Sequence, residues 1–203
     1  MLFLLVAGFA IWFFSYTNTD KSALNHLHVQ ALDNDAPFND LAAMRDRLRA
    51  IPPTVQHRTG LNTPTVWLRV SLPPATINQE LGRTLHLPEK NIGRAEFVIF
   101  NAEGAPVMRG SAGAQYHAVN ATRSFPGFII NLPPALSPQG LEAVFRFEPI
   151  GITKTRADLW LTPDFDESQI KAQQRTILLI GALVFLALYA LAAANSGRVE
   201  HFL

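Results

Sequence analysis

The run Val66-Trp-Leu-Arg-Val-Ser-Leu72 decides how the middle of this sequence is read. Val66, Leu68 and Val70 alternate with Trp67, Arg69 and Ser71, and a period of two marks a strand with one face in a core. Working outward, extended runs recur at Thr84–Leu87, Ala95–Phe100, Phe128–Leu132, Ala143–Glu148 and Ala157–Leu161, with weaker ones near Leu27–Leu32 and at Val107. Val144, Arg146 and Glu148 alternate in the same way with Phe145 and Phe147. Between the runs lie Leu72-Pro-Pro, Asn101-Ala-Glu-Gly104, Leu132-Pro-Pro and Ser137-Pro-Gln-Gly140. Each is a turn signal, because proline fixes φ and glycine frees it. All 14 prolines fall between Pro37 and Pro163. Many short strands at this spacing predict a mainly β fold, a jelly-roll-like β-sandwich. One helix interrupts them, Asp35 to Arg49. Its apolar face, Phe38, Leu41, Met44 and Leu48, has spacings of three and four, and it stops before Pro52-Pro53. It is expected to pack on an edge of the sandwich.

The ends have another character. Met1 to Tyr16 and Thr176 to Ala194 contain no Asp, Glu, Lys or Arg. A bilayer core of about 30 Å needs roughly 20 helical residues, so Thr176–Ala194 predicts a transmembrane helix. Lys171 and Arg175 precede it, placed to snorkel into head groups, and Arg198 and His201 follow it. Residues 1–16 are shorter and read as an uncleaved anchor, a signal sequence being the alternative. They carry no basic n-region and no clear small-x-small cleavage site. The chain thus divides into an anchor (1–16), a β domain (20–163), a helical juxtamembrane connector (164–175), a membrane helix (176–194) and a short cytoplasmic tail (195–203). Two membrane helices flanking one domain put the termini in the cytoplasm and the domain in the periplasm, at a bacterial inner membrane. Lys21, Lys171 and Arg175 on the domain side weigh against that orientation, but long domains translocate largely regardless of charge.

Composition removes several function classes. The chain has 203 residues, with 17 Lys plus Arg against 16 Asp plus Glu. Setting aside Arg198 and Glu200 leaves the β domain almost neutral, so nucleic acid is not an expected partner. With no cysteine, thiolate metal sites and cysteine nucleophiles are excluded.

The chemistry-bearing patterns are weak. Gly110-Ser-Ala-Gly113 lacks the glycine spacing of a nucleophile elbow and reads as a loop tip. His26 and His28 could share one strand face, but no third metal ligand stands at a suitable spacing. Asp164 and Glu167 read as a capping box rather than an acid/base pair. From about Phe165 the chain continues without Gly or Pro into the apolar helix, with Glu167 and Lys171 an i,i+4 pair. That continuity could carry a displacement of the domain into the membrane, a passive stalk being the equal alternative. Ala187, Ala190 and Ala194 form a small-residue stripe suited to helix contacts. Trp67 is expected to pack in a core and Arg69 to form an ion pair, although Trp67 and Trp160 could stack on a sugar. No catalytic, cofactor-binding or metal residue is named, no cofactor is implied, and the ligand-binding residues stay unassigned.

Taken in order, several stretches resemble a known family. They are the helix with Phe38-Asn-Asp-Leu41, then Thr65-Val-Trp-Leu-Arg-Val-Ser-Leu72 and Phe128-Ile-Ile-Asn-Leu-Pro-Pro134. Val144-Phe-Arg-Phe147, Ala157-Asp-Leu-Trp-Leu-Thr-Pro-Asp-Phe165 and Leu186-Ala-Leu-Tyr189 follow. Together they resemble the type 2 extracellular domain of bacterial seven-transmembrane receptors with diverse intracellular signalling modules, over about Leu27 to Leu203. The resemblance implies a periplasmic jelly-roll sensor similar to carbohydrate-binding modules. Its partners would be the lipid bilayer, a small-molecule or carbohydrate ligand, and a second copy or a separate signalling effector. The sequence departs from the family in having one helix after the domain, and Asn195 to Leu203 reads as a loop toward a second, as in a truncated or split product. The leading expectation is a non-enzymatic, membrane-anchored sensory or ligand-binding domain. A stand-alone membrane adaptor and an envelope hydrolase are the alternatives.

Overall fold

The computed structural model describes residues 23, 25–35, 41–61, 63, 65–74, 81–89, 91–113, 119, 122–123, 127–136 and 140–199. The expected N-terminal anchor and Phe38 lie outside them. Residues Ala23–Phe165 form one compact unit and the helix from Asp166 onward belongs to another.

The first unit is built on two five-stranded antiparallel sheets. Sheet A runs β1 (Asn25–Leu27), β12 (Ala157–Leu161), β5 (Arg83–Leu87), β9 (Phe128–Leu132), β8 (Thr122–Arg123). Sheet B runs β2 (Val29–Asp33), β4 (Val66–Leu72), β10 (Leu141–Pro149), β6 (Ile92–Phe100), β7 (Pro106–Gly113). A small pair, β3 (His57–Arg58) with β11 (Lys154–Thr155), stands apart. The alternation seen in the sequence sorts the faces. Val66, Leu68, Val70, Phe145 and Phe147 of sheet B meet Leu85, Ile130 and Leu159 of sheet A in one buried core, which makes the fold a β-sandwich. The core holds a cavity of about 10 Å³ with Phe97, Phe128 and Phe145 in its apolar wall, room for one water at most. It is not a ligand chamber.

Three expectations need correction. The helix α1 spans Leu41–Arg49, with Asp35 outside it. It lies on the outer face of sheet B rather than on an edge, because Trp67, Val98, Val144 and Phe100 make an apolar patch there that Met44 and Leu48 cover. Each of these two side chains gains roughly 1.5–3 kcal/mol from burial. Gly110–Gly113 is not a loop tip. It is the second half of β7, and a side chain at 110 would collide with the Phe97 ring and the Val119 carbonyl. The glycine marks close backbone approach inside a strand.

The third correction concerns the long helix, α2, which runs from Thr162 to Val199. It starts before Phe165 because Pro163 is tolerated in a first turn, where its missing N–H has no helical partner to lose. Asp164 therefore sits inside that turn, favourable to the helix dipole, and is not the cap. Asn195–Val199, read as loop, are helical. The 38 residues are about 57 Å long, and the Glu167–Lys171 pair forms at 2.9 Å.

Candidate functional site at the root of the apolar helix

Strand β12 has Ala157 and Leu159 in the core, which leaves Asp158 and Trp160 on the outer face of sheet A. Antiparallel register sets His86 of β5 beside Asp158, and Thr84 beside Trp160. On the other flank β1 sets His26 beside Asp158. His26 Nδ1 lies 2.8 Å from Asp158 Oδ1, and Arg156 Nε lies 3.2 Å from the other oxygen. Asp158 is buried and His26 is largely exposed. His28, in contrast, falls between β1 and β2 and is exposed, so the two histidines do not converge. Among the described residues no three His, Asp or Glu side chains are placed to hold a metal.

The chain leaves this face at Leu161 and turns at once into α2. The Thr162 N–H donates to the Gly82 carbonyl at 2.9 Å, and the Thr84 and Thr162 hydroxyls are 3.0 Å apart. The Thr84 hydroxyl also donates to Asn131 Oδ1 at 3.1 Å. One turn on, the buried Phe165 folds back onto the sheet. Its ring centre is 5.1 Å from that of His86 and 5.7 Å from that of Trp160, edge-on to the indole. The first turn of α2 is thus keyed to β5, the Gly82 carbonyl just before it, and β12 by three kinds of contact: a backbone bond, a hydroxyl pair and an aromatic lid.

Arg83, one residue before Thr84, points the opposite way. It shares the inward parity of Leu85 and Leu87, is 2% exposed, and its Nη1 donates to the Pro73 carbonyl. Burial lowers its pKa from the ordinary guanidinium value. Reading the β5 alternation one residue further back, from Thr84 to Arg83, is the sequence signal that finds this inward charge.

Sheet B carries the other polar concentration. Glu142 of β10 accepts from Arg45 Nε at 2.6 Å, Arg49 Nη2 at 2.8 Å and Arg69 Nη2 at 3.0 Å. Arg69 also bonds Gln30, whose amide donates to the Ile51 carbonyl at 2.6 Å. Burial pushes the Glu142 carboxyl up, but the three guanidinium bonds, that of Arg69 first, outweigh it and hold the pKa at about 2. Arg45 in addition sits 4.4 Å over the Phe100 ring. These arginines are spent on fixing α1, and Trp67 is fully buried beneath it. Both residues therefore take structural places, and neither forms an open sugar platform.

No protein-family model matches the sequence, and no curated protein matches it. Among solved structures the chain is similar to the enzymatically active domain of tailspike protein 4 of Bacteriophage CBA120, at 12% identity and a TM-score of 0.30 over 70% of this chain and 19% of that one. It is also similar to TmCBM61 in complex with β-1,4-galactotriose, at 10% and 0.29 over 66% and 80%. A third is a carbohydrate-binding module of the β-sandwich superfamily, at 10% and 0.27 over 51% and 43%. The chain therefore spans about a fifth of the tailspike domain's length and less than half of that third module's. At these TM-scores the likenesses carry no argument about a site or a ligand.

Proposed function

We propose that this chain is a membrane-anchored, periplasmic ligand-binding domain of a bacterial signal-transduction receptor, a jelly-roll sensor whose output is made by a separate signalling effector. The observation that carries the reading is α2. Among the described residues it is the one helix long and apolar enough to cross a membrane, and none of its most apolar stretch is buried. Leu183, Phe185, Leu188 and Leu191 are all more than half exposed along it. Such a surface needs an apolar solvent. The same helix begins within one residue of the last strand of the sandwich, so the domain and the span share a single unbroken element. The sensory role and the carbohydrate class of ligand rest on the family resemblance of the ordered strand and helix motifs.

Two measurements test this. Carbonate extraction of membranes from expressing cells should leave the full chain in the pellet. A reporter fused at Leu203 should be active on the cytoplasmic side. Release into the supernatant would sink the anchoring, and periplasmic reporter activity would reverse the orientation.

A further inference from the structure

The two-stranded ribbon of β3 and β11 carries a surface that neither the core nor the root of α2 uses. Arg58 and Lys154 are register partners, so their side chains stand side by side on one face of the ribbon. Both are exposed. Among the described residues neither has a carboxylate partner, whereas Arg45, Arg49 and Arg69 converge on Glu142 and Arg156 is paired with Asp158. Like charges set directly opposite each other repel, and an anion laid against both relieves that repulsion.

The same end of the sandwich is apolar at its tip. Ile152, two residues before Lys154 and so on the same face, is 42% exposed, and Ile150 and Leu61 are 59% and 72% exposed. The backbone beneath them is nonetheless fixed. On the other face of the ribbon Thr59, Thr153 and Thr155 are buried, and the hydroxyls of Thr59 and Thr153 are 2.8 Å apart. The buried Glu89 carboxylate accepts from the Asn91 N–H at 3.0 Å and the Lys154 N–H at 2.9 Å, and the Ile150 N–H donates to the Asn91 carbonyl at 2.7 Å. Between the isoleucines Gly151 turns with a φ of 85° and open space around it. The polar groups hold the chain while the aliphatic side chains point outward, as a projection rather than a cleft.

That shape and chemistry select the partner. Three projecting aliphatic side chains fall well short of a stable protein interface, which takes roughly 800 Å² from each partner, but a lipid surface has no fixed shape to match. Aliphatic tips beside a pair of cations complement the hydrocarbon and the phosphates of an anionic bilayer. We infer that Ile150, Ile152 and Leu61 dip into the interface of an anionic phospholipid bilayer while Arg58 and Lys154 hold its phosphates. The ribbon meets β12 at its start and α2 leaves from its end, so this is a second lipid contact, made by the sandwich itself and additional to the span.

The test uses the full chain in phosphatidylcholine nanodiscs, offered to vesicles of phosphatidylcholine alone or mixed with phosphatidylglycerol, and reads the discs that co-sediment beyond empty discs. The mixed vesicles should capture the discs and the neutral ones should not, and capture should fall in high salt. Arg58→Gln and Lys154→Gln should each weaken it about fivefold, and Ile150→Ser combined with Ile152→Ser about tenfold. All four side chains are exposed, so the melting temperature should stay within about 2 °C of the wild type. Absence of capture, equal capture by neutral vesicles, or unchanged capture when Arg58→Gln and Lys154→Gln are combined would overturn the inference. So would equal capture by polyglutamate beads, which would assign the surface to an acidic protein segment. In each of those cases retention of the chain in carbonate-extracted membranes would leave the anchoring by α2 standing.

Discussion

The outer face of sheet B is covered by a helix, whereas on sheet A one side chain from the first turn of α2 packs on two residues of the outer face, and the two contacts are made by different means. On sheet B, α1 is held by an apolar patch and by three guanidinium groups converging on Glu142. On sheet A, the first turn of α2 is held by the Phe165 ring against His86 and Trp160, together with the bonds of Thr162. Directional ion pairs fix one geometry and leave stranded charge if it changes. An aromatic contact tolerates a shift of an ångström with little loss, since dispersion and burial have no preferred direction. The first contact is fixed chiefly by charge, and the second combines an aromatic contact with the two hydrogen bonds of Thr162.

The largest effect should come from breaking the ionic side. Glu142→Ala leaves the largely buried Arg45 of α1 and Arg69 of β4 without their carboxylate and should cost about 3–5 kcal/mol in denaturant unfolding of the full chain. Glu142→Gln should cost nearly as much, because the charge is what matters. On the aromatic side Phe165→Ala should lose about 3 kcal/mol, whereas Phe165→Leu should lose only about 1 kcal/mol. If Phe165→Leu proves as damaging as Glu142→Gln, the contrast between the two faces fails.

Acid sharpens the comparison. The Glu142 pKa falls from the ordinary carboxylate value of 4.5 to about 2 on folding. A depressed folded pKa contributes stability that is present above the unfolded value and is lost as pH falls through the folded one. The contribution of about 3 kcal/mol should therefore be complete above about pH 5 and disappear between about pH 5 and pH 2. In Glu142→Gln this part of the pH dependence should flatten. The smallest effect belongs to His26→Ala. Its largely exposed ring shares Asp158 with Arg156, so the loss should stay under about 1 kcal/mol at pH 7.

Much of the sandwich was legible because its strands obey a period of two. Val66–Leu72 and Phe128–Leu132 have the expected bounds, and β6 and β10 extend theirs by two or three residues at an end. What failed was context. The glycines of β7 read as a turn because nothing local reveals the Phe97 ring lying across Gly110. Pro163 read as the end of the β domain, although it stands in the first turn of α2. The Glu142 cluster was invisible to spacing, since Arg45, Arg69 and Glu142 come from α1, β4 and β10 and only the register of sheet B and the seat of α1 bring them together. At the helix root, Trp160 stood out but His86 and Phe165 did not, because their contact depends on α2 starting at Thr162.

The pairing of β1 with β12 has a consequence for how the protein is made. Asn25–Leu27, among the first described residues to emerge during synthesis, must wait for Ala157–Leu159 before it has a neighbour in its sheet. Some 130 residues separate the partners, and α2 follows β12 directly. Sheet A therefore closes only when the apolar helix is itself being made, so the sandwich stays unfinished until the chain has passed β12. Slow, late closure is the expected kinetic signature of such long-range pairing.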